Sequence, residues 1–316
     1  MDAVAPAGSA PVADRDVSTP AVIGGRYELG PLVGQGSGGQ VYSALDHVLR
    51  RHVAVKLLHD VEASAARFER EISLQAGLRH SGLIPLLDAG AHGQRWYLVM
   101  PLIQGATLAD RIACGPLTGR ETRRVGAALA GALDCIHAHG VVHRDVKPAN
   151  VLLGSHGRAF LADFGIACRR GEPDPAATAH FPMTGNAAYL SPEQVEHGTI
   201  GYAGDVYALG LVLLEALTGV RAYRGTAPEQ ARARLWRQPE VPASLGPGWS
   251  GLLAAMTARD PAHRPAPRRI TEALRAVGSP SPSAPFHRPR RARPPRRRYI
   301  APAARAVRSG NSPYAF

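Results

Sequence analysis

Short apolar runs bounded by polar and glycine-rich turns fill the first hundred residues, and apolar positions at helical spacing follow. Tyr27 to Val33, Gln40 to Ala44 and Val53 to Lys56 read as three strands, and Trp96 to Met100 is a fourth run of strand length. Between the third and fourth, Phe68, Glu71, Ile72 and Gln75 stand at i, i+3, i+4 and i+7, which predicts a helix. Farther on, Val125, Ala128, Leu129, Ala132 and Ile136 give Glu121 to His139 a helical stripe, and Gly140 ends it. Asp205 opens the strongly apolar run Val206 to Leu217. That run predicts a buried helix, because a bilayer span needs roughly 20 apolar residues and Glu215 interrupts this one.

Chemistry enters at the junctions of these elements. Gly34-Gln35-Gly36-Ser37-Gly38-Gly39-Gln40-Val41 lies between two predicted strands, so its glycines sit in a hairpin whose backbone amides can approach phosphate oxygens closely. A dinucleotide-binding turn of similar spelling would open a helix and be followed by an acidic ribose ligand, which this segment does not do. Lys56 ends the third strand. The stretch His143-Arg144-Asp145-Val146-Lys147-Pro148-Ala149-Asn150 is followed, eighteen residues after Asp145, by Asp163-Phe164-Gly165. Asn150 and Asp163 offer an amide carbonyl and a carboxylate, oxygens suited to a hard divalent cation bridging phosphates. Asp145 is placed to orient a hydroxyl and take its proton, and Lys147 adds positive charge beside it. A lone His-Arg-Asp would be weak evidence, since a buried histidine or an Arg–Asp pair is often structural. Here the motifs occur in order along one chain.

In that order they fit G-x-G-x-x-G-x-V, the strand lysine, H-R-D-x-x-x-x-N and D-F-G, and the chain resembles the bacterial eukaryotic-like Ser/Thr protein kinases. The resemblance implies an α+β bilobal fold. Its N-lobe has an antiparallel five-stranded sheet plus one helix, and its C-lobe is mainly helical. It implies transfer of the γ-phosphoryl group of ATP to protein Ser or Thr hydroxyls, with magnesium or manganese as the metal. Asp145 and Lys147 are then the catalytic residues, and Asn150 and Asp163 the metal ligands. Gly34, Gln35, Gly36, Ser37, Gly38, Gly39, Val41, Ala54, Lys56, Glu71, Met100 and Ile103 form the ATP site. Helical register favours Glu71 over Glu69 as the residue facing Lys56. Met100 is the gatekeeper on this alignment; Pro101 lacks an N–H, so its carbonyl and the Ile103 N–H are the adenine contacts.

Further along, Ser191-Pro192-Glu193 stands where the family has A-P-E, and the resemblance pairs Glu193 with Arg264 in a buried ion pair; Asp205 is a third structural residue. The stretch Gly185 to Glu193 implies peptide positioning, which argues against a small-molecule kinase. Arg144 implies an activation-loop phosphate, with Thr178 and Thr184 as candidate phosphosites. Two departures stand out. Gly185-Asn186 replaces the usual Gly-Thr, and Gly38 occupies a loop tip where many kinases carry an aromatic. The alternatives are a pseudokinase-type nucleotide-binding scaffold, which the intact Lys56, Asp145, Asn150 and Asp163 oppose, and a nucleic-acid-associated kinase.

Composition supplies the organisation. Residues 1–22, rich in Ala, Pro and Ser, read as a disordered arm, 23–277 as the kinase domain (N-lobe 23–100, C-lobe 104–277), and 278–316 as a disordered Pro/Arg-rich tail. The formal net charge is +12, of which the tail carries +9 and the rest +3. Such a block reads by default as solvated, and its charge would also attract nucleic acid, anionic lipid or an acidic protein. Cys114, Cys135 and Cys168 have no paired or zinc-type spacing, consistent with a reducing compartment. With neither signal peptide nor membrane span visible, the expectation is a cytoplasmic protein whose signal input comes from elsewhere. Oligomeric state is left open, including a transient dimer.

Overall fold

The computed structural model describes residues 21–36, 39–58, 68, 72–73, 75–163, 168–169, 187–198 and 201–277. The chain divides into two units, Met1–Pro280 and Ser281–Phe316, and every described residue falls in the first. Six strands form its main antiparallel sheet: β1 (Val22–Ile23), β2 (Tyr27–Gly36), β3 (Gly39–Asp46), β4 (Arg51–Leu58), β5 (Asp88–His92) and β6 (Arg95–Pro101), in the order β1-β2-β3-β4-β6-β5. The expected count was five. The extra strand is a two-residue edge piece in which Val22 pairs with Glu28 and Ile23 with Tyr27, so pairing begins one residue before the boundary read from composition.

One face of this sheet buries Tyr27, Ala44, Val53, Val55, Leu57, Tyr97 and Val99. Val53, Val55 and Leu57 alternate along β4 toward this core, and Ala54 and Lys56 between them are buried on the other face. Arg26 clamps Asp46 through Nε and Nη2, both at 2.8 Å, and Asp46 also accepts from the amides of Val48 and Leu49. These contacts fix the β3–β4 turn and hold the Asp46 carboxyl down at about 2, the Arg26 bond being the chief cause. Helical residues occur at Phe68, Ile72, Ser73, Gln75 and Ala76, and Phe68 stacks on Trp96 of β6 at 4.4 Å between centroids. Glu71 lies outside the described residues.

Below the sheet the chain is mostly helical. β7 (Ala106–Thr107) leads into α1 (Leu108–Ala113) and α2 (Gly119–Ala138). α2 starts on a capping box in which Thr118 Oγ1 accepts from Glu121 N and the Glu121 carboxylate accepts from Thr118 N. Of the stripe that predicted it, Val125, Leu129, Ala132 and Ile136 are buried and Ala128 is half-buried, and Leu133 is buried beside them. β9 (Val151–Leu153) lies between β7 and β10 (Ala159–Leu161) in a three-stranded sheet. β8 (Val141–Val142) pairs with β11 (Cys168–Arg169). Then come α3 (Pro192–His197), α4 (Tyr202–Thr218), α5 (Ala227–Trp236), α6 (Pro247–Met256) and α7 (Pro267–Ala276). α4 is buried nearly all round, as an apolar run with few polar positions requires, and it packs on α2 and α6 within one large core. Among the described residues no helix is long and apolar enough to cross a membrane.

Candidate active site

The glycine segment joins β2 to β3, with Gly34 opposite Val41, Gln35 opposite Gln40 and Gly36 opposite Gly39. Gly39 has φ of 145°, and a Cβ there would stand 2.2 Å from the carbonyl oxygen of Leu57. Only glycine allows the hairpin to lie this close to β4. Ser37 and Gly38 lie outside the described residues. Val41 pairs with Lys56 across β3 and β4, and Ala54 pairs with Met100 across β4 and β6. Gatekeeper and lysine positions thus come to neighbouring points of one sheet. Ile103 follows β6, half-buried, near Gly154 at the end of β9.

Lys56 is 6% exposed, and its Nζ lies 2.5 Å from Asp163 Oδ1. Asp163 adopts φ of 67°, a left-handed conformation that a non-glycine residue holds at a cost of about 1–3 kcal/mol, so the surrounding contacts must impose it. Arg144 is held the same way, at φ of 71°. The two strained residues flank the chemistry: Arg144 immediately precedes Asp145, and Asp163 ends the described run of β10.

Asp145 has two side-chain partners. Lys147 Nζ donates to its Oδ2 at 2.7 Å, and Asn150 Nδ2 donates to the same oxygen at 2.8 Å and to the Asp145 carbonyl at 2.9 Å. Asn150 sits in a single 3-10 turn, Pro148–Asn150, which returns the chain toward Asp145. Because the amide nitrogen of Asn150 is committed to Asp145, its carbonyl oxygen is the atom left for a cation. Together with the Asp163 carboxylate it makes a hard-oxygen pair of the kind that suits a hard divalent cation. Among the described residues no group of three or more His, Cys, Asp or Glu could hold a metal ion.

Two buried groups beneath this surface fix the loop. Asp205, 2% exposed in the first turn of α4, accepts from the backbone N–H of His143 at 2.9 Å and of Arg144 at 2.8 Å, and from His137 Nε2 at 2.8 Å. His137 stacks on Tyr202 at 4.5 Å. His143 is fully buried; its Nε2 lies 3.2 Å from the Ala162 carbonyl, and its Nδ1 accepts from Asp145 N at 3.3 Å. Those contacts require the neutral Nε2–H tautomer, and burial pushes the imidazole below its ordinary pKa despite the nearby carboxylates. The histidine therefore ties the Asp145 backbone to the residue before Asp163. Its place in the motif was legible in the sequence; its role as a neutral tie was not.

Farther down, Arg264 donates from Nη1 and Nη2 to the two carboxylate oxygens of Glu193 at 2.7 and 2.8 Å. The carbonyls of Ala258, Ala203 and Arg259 take further donors of the Arg264 guanidinium, which lies 4.9 Å from the Tyr207 ring centroid. Tyr189 Oη donates to Glu215 at 2.6 Å, and Ser191 and Gln194 form the capping box of α3. Sequence reading missed His137, Gln194 and the Tyr189–Glu215 contact, whose only sequence signal is proximity to the motifs. Thr178, Thr184 and Asn186 lie outside the described residues.

Comparison with known proteins places this geometry. The protein kinase domain family matches residues 27–275. The chain is 35% identical over 267 residues to the serine/threonine-protein kinase PknB of Mycobacterium tuberculosis, covering 81% of this chain and 43% of that protein. It is 34% identical over 262 residues to PknB of Mycolicibacterium smegmatis, covering 78% and 42%. Against the serine/threonine-protein kinase PrkC of Bacillus subtilis the figures are 34% over 257 residues, covering 77% and 39%. The chain therefore spans about two-fifths of the length of these curated relatives. It belongs to the protein kinase domain family, among the bacterial eukaryotic-like Ser/Thr protein kinases.

Proposed function

We propose that this chain is an ATP-dependent Ser/Thr protein kinase. The observation that carries the reading is the convergence of Asp145, Lys147 and Asn150 through contacts of 2.7–2.8 Å, beside a Lys56–Asp163 pair at 2.5 Å. Asp145 faces the acceptor hydroxyl and takes its proton as the oxygen bonds to the γ-phosphorus and the bond to the bridging oxygen breaks, releasing ADP. Lys147 balances the charge that gathers there, and in the family a lysine at this place accompanies Ser and Thr acceptors. Lys56 neutralises phosphate oxygens, with Glu71 as its support. Backbone amides from Gly34 to Gly39 cover the phosphates, and Val41, Ala54, Met100 and Ile103 enclose the adenine. Asn150 and Asp163 would hold the magnesium ion, which would supply neutralisation of phosphate charge.

Autophosphorylation at Thr178 or Thr184 belongs to the same reading, supported by Arg144 next to Asp145. For residues 278–316, nine arginines without an acidic residue support an acidic partner on charge alone. The test is incubation with γ-labelled ATP and a magnesium salt, followed by phosphoamino-acid analysis and site mapping. Label on serine or threonine is the expected result. ATP binding without any transfer would favour the nucleotide-binding scaffold instead.

A further inference from the structure

Arg234 sits in the last turns of α5, on a sequence, Ala-Arg-Ala-Arg, that reads as an ordinary solvated helix face. It is 2% exposed, while Arg232 beside it is exposed. Among the described residues no carboxylate pairs with it. Its guanidinium instead donates to three backbone carbonyls: Nε to Gln230 at 3.1 Å within its own helix, Nη1 to Leu190, and Nη2 to Ala187. Burial lowers its pKa, the Tyr207 and Tyr223 hydroxyls counter that, and the Tyr223 ring centroid lies 5.0 Å from the guanidinium.

A buried cation without an anionic partner is costly, so its placement needs a reason in what it binds. The two carbonyls it takes outside its helix are the two ends of one turn, Ala187 to Leu190, within the Gly185 to Glu193 stretch that the resemblance assigns to peptide positioning. Between them Tyr189 is anchored to Glu215, and directly after them Ser191 begins the cap of α3. The planar fork of an arginine can bridge both ends of that turn at once, which a single ammonium cannot. Below, Tyr223 Oη shares a hydrogen bond with Tyr207 Oη at 2.9 Å, and Tyr207 lies under Arg264. The turn, Arg234, the tyrosine pair and the Glu193–Arg264 pair form one continuous contact chain.

We propose that Arg234 is a positioning residue for the protein substrate: it sets the backbone of Ala187–Leu190, against which the acceptor peptide lies, without touching ATP or the reacting atoms. This rests on the kinase reading above. The experiment uses the full chain and compares wild type with the charge-conserving Arg234→Lys and the neutral Arg234→Gln. Three quantities are measured: KM for a peptide substrate, KM for ATP, and the rate of ATP hydrolysis without peptide. Loss of one charge-assisted bond predicts a peptide KM raised about tenfold in Arg234→Lys, which keeps the charge and one donor, and loss of both predicts a larger rise in Arg234→Gln. ATP KM and peptide-free hydrolysis stay near wild type. An unchanged peptide KM in a folded variant overturns the assignment, and so does a parallel fall of hydrolysis, peptide phosphorylation and melting temperature in both variants, which marks a structural role. Failure of wild type to phosphorylate any peptide overturns the kinase reading itself.

Discussion

The protein holds two sets of paired charges that differ in how their partners are supplied. At the candidate site, Lys56–Asp163 and Lys147–Asp145 are joined by ammonium contacts of 2.5 and 2.7 Å, and the Asp163 side chain is 38% exposed. Beneath it, Glu193–Arg264 is bidentate with the arginine side chain at 0% exposure, and Asp205 is satisfied by two backbone amides and a histidine. A lysine point charge can exchange one oxygen for another with little rearrangement, whereas a guanidinium fork locked to a carboxylate and three carbonyls cannot. Under the proposed function the upper set changes partners when phosphates arrive. The lower set holds the loops that carry it.

Substitutions should separate the two sets. The largest stability effect is expected from Arg264→Ala, which removes a buried guanidinium and leaves the half-buried Glu193 carboxylate without its partner; about 3–5 kcal/mol should be lost, read as a lowered denaturant midpoint. No change in that midpoint would contradict the role of the pair. Asp205→Asn comes next, since it weakens acceptors for two buried N–H groups and for His137; a loss of about 1–3 kcal/mol is expected by chemical denaturation, with slower phosphoryl transfer because the Asp145 loop loosens. Equal stability with an equal rate would remove Asp205 from the account. The smallest effect is in pH. His143 has its folded pKa depressed by burial, so the unfolded chain binds the proton more readily, and the contribution is full above the ordinary value of 6.5 and lost as pH falls below it. Wild type should therefore lose melting temperature more steeply than His143→Gln as pH drops from about 7 to 5.

Much of this arrangement was legible in the sequence because the residues that do the chemistry are close along the chain. Asp145, Lys147 and Asn150 fall within one loop and its 3-10 turn, and the strands beside the glycines follow from short apolar runs bounded by turns. The α2 and α4 helices were read from apolar spacing to within four residues at either end. β5 was not read, because Asp88-Ala-Gly-Ala-His offers neither β-branched nor aromatic residues; its strand form is imposed by pairing with β6. Contacts made across the fold were also invisible. His143 and Arg144 find Asp205 at separations of 62 and 61 residues, and the left-handed backbones of Arg144 and Asp163 are imposed by such closures rather than by local preference. Arg234 is the extreme case: nothing in its helix distinguishes it from Arg232, and only the packed turn at Ala187–Leu190 makes it a buried cation.

The most direct measurement compares wild type with Asp145→Asn for ATP binding and for transfer of label from γ-labelled ATP to serine or threonine. The substitution keeps the shape of the side chain and removes the carboxylate that takes the proton. The account predicts unchanged folding, retained ATP binding and a transfer rate lowered about 10²–10⁴-fold. Transfer at the wild-type rate by folded Asp145→Asn would contradict it.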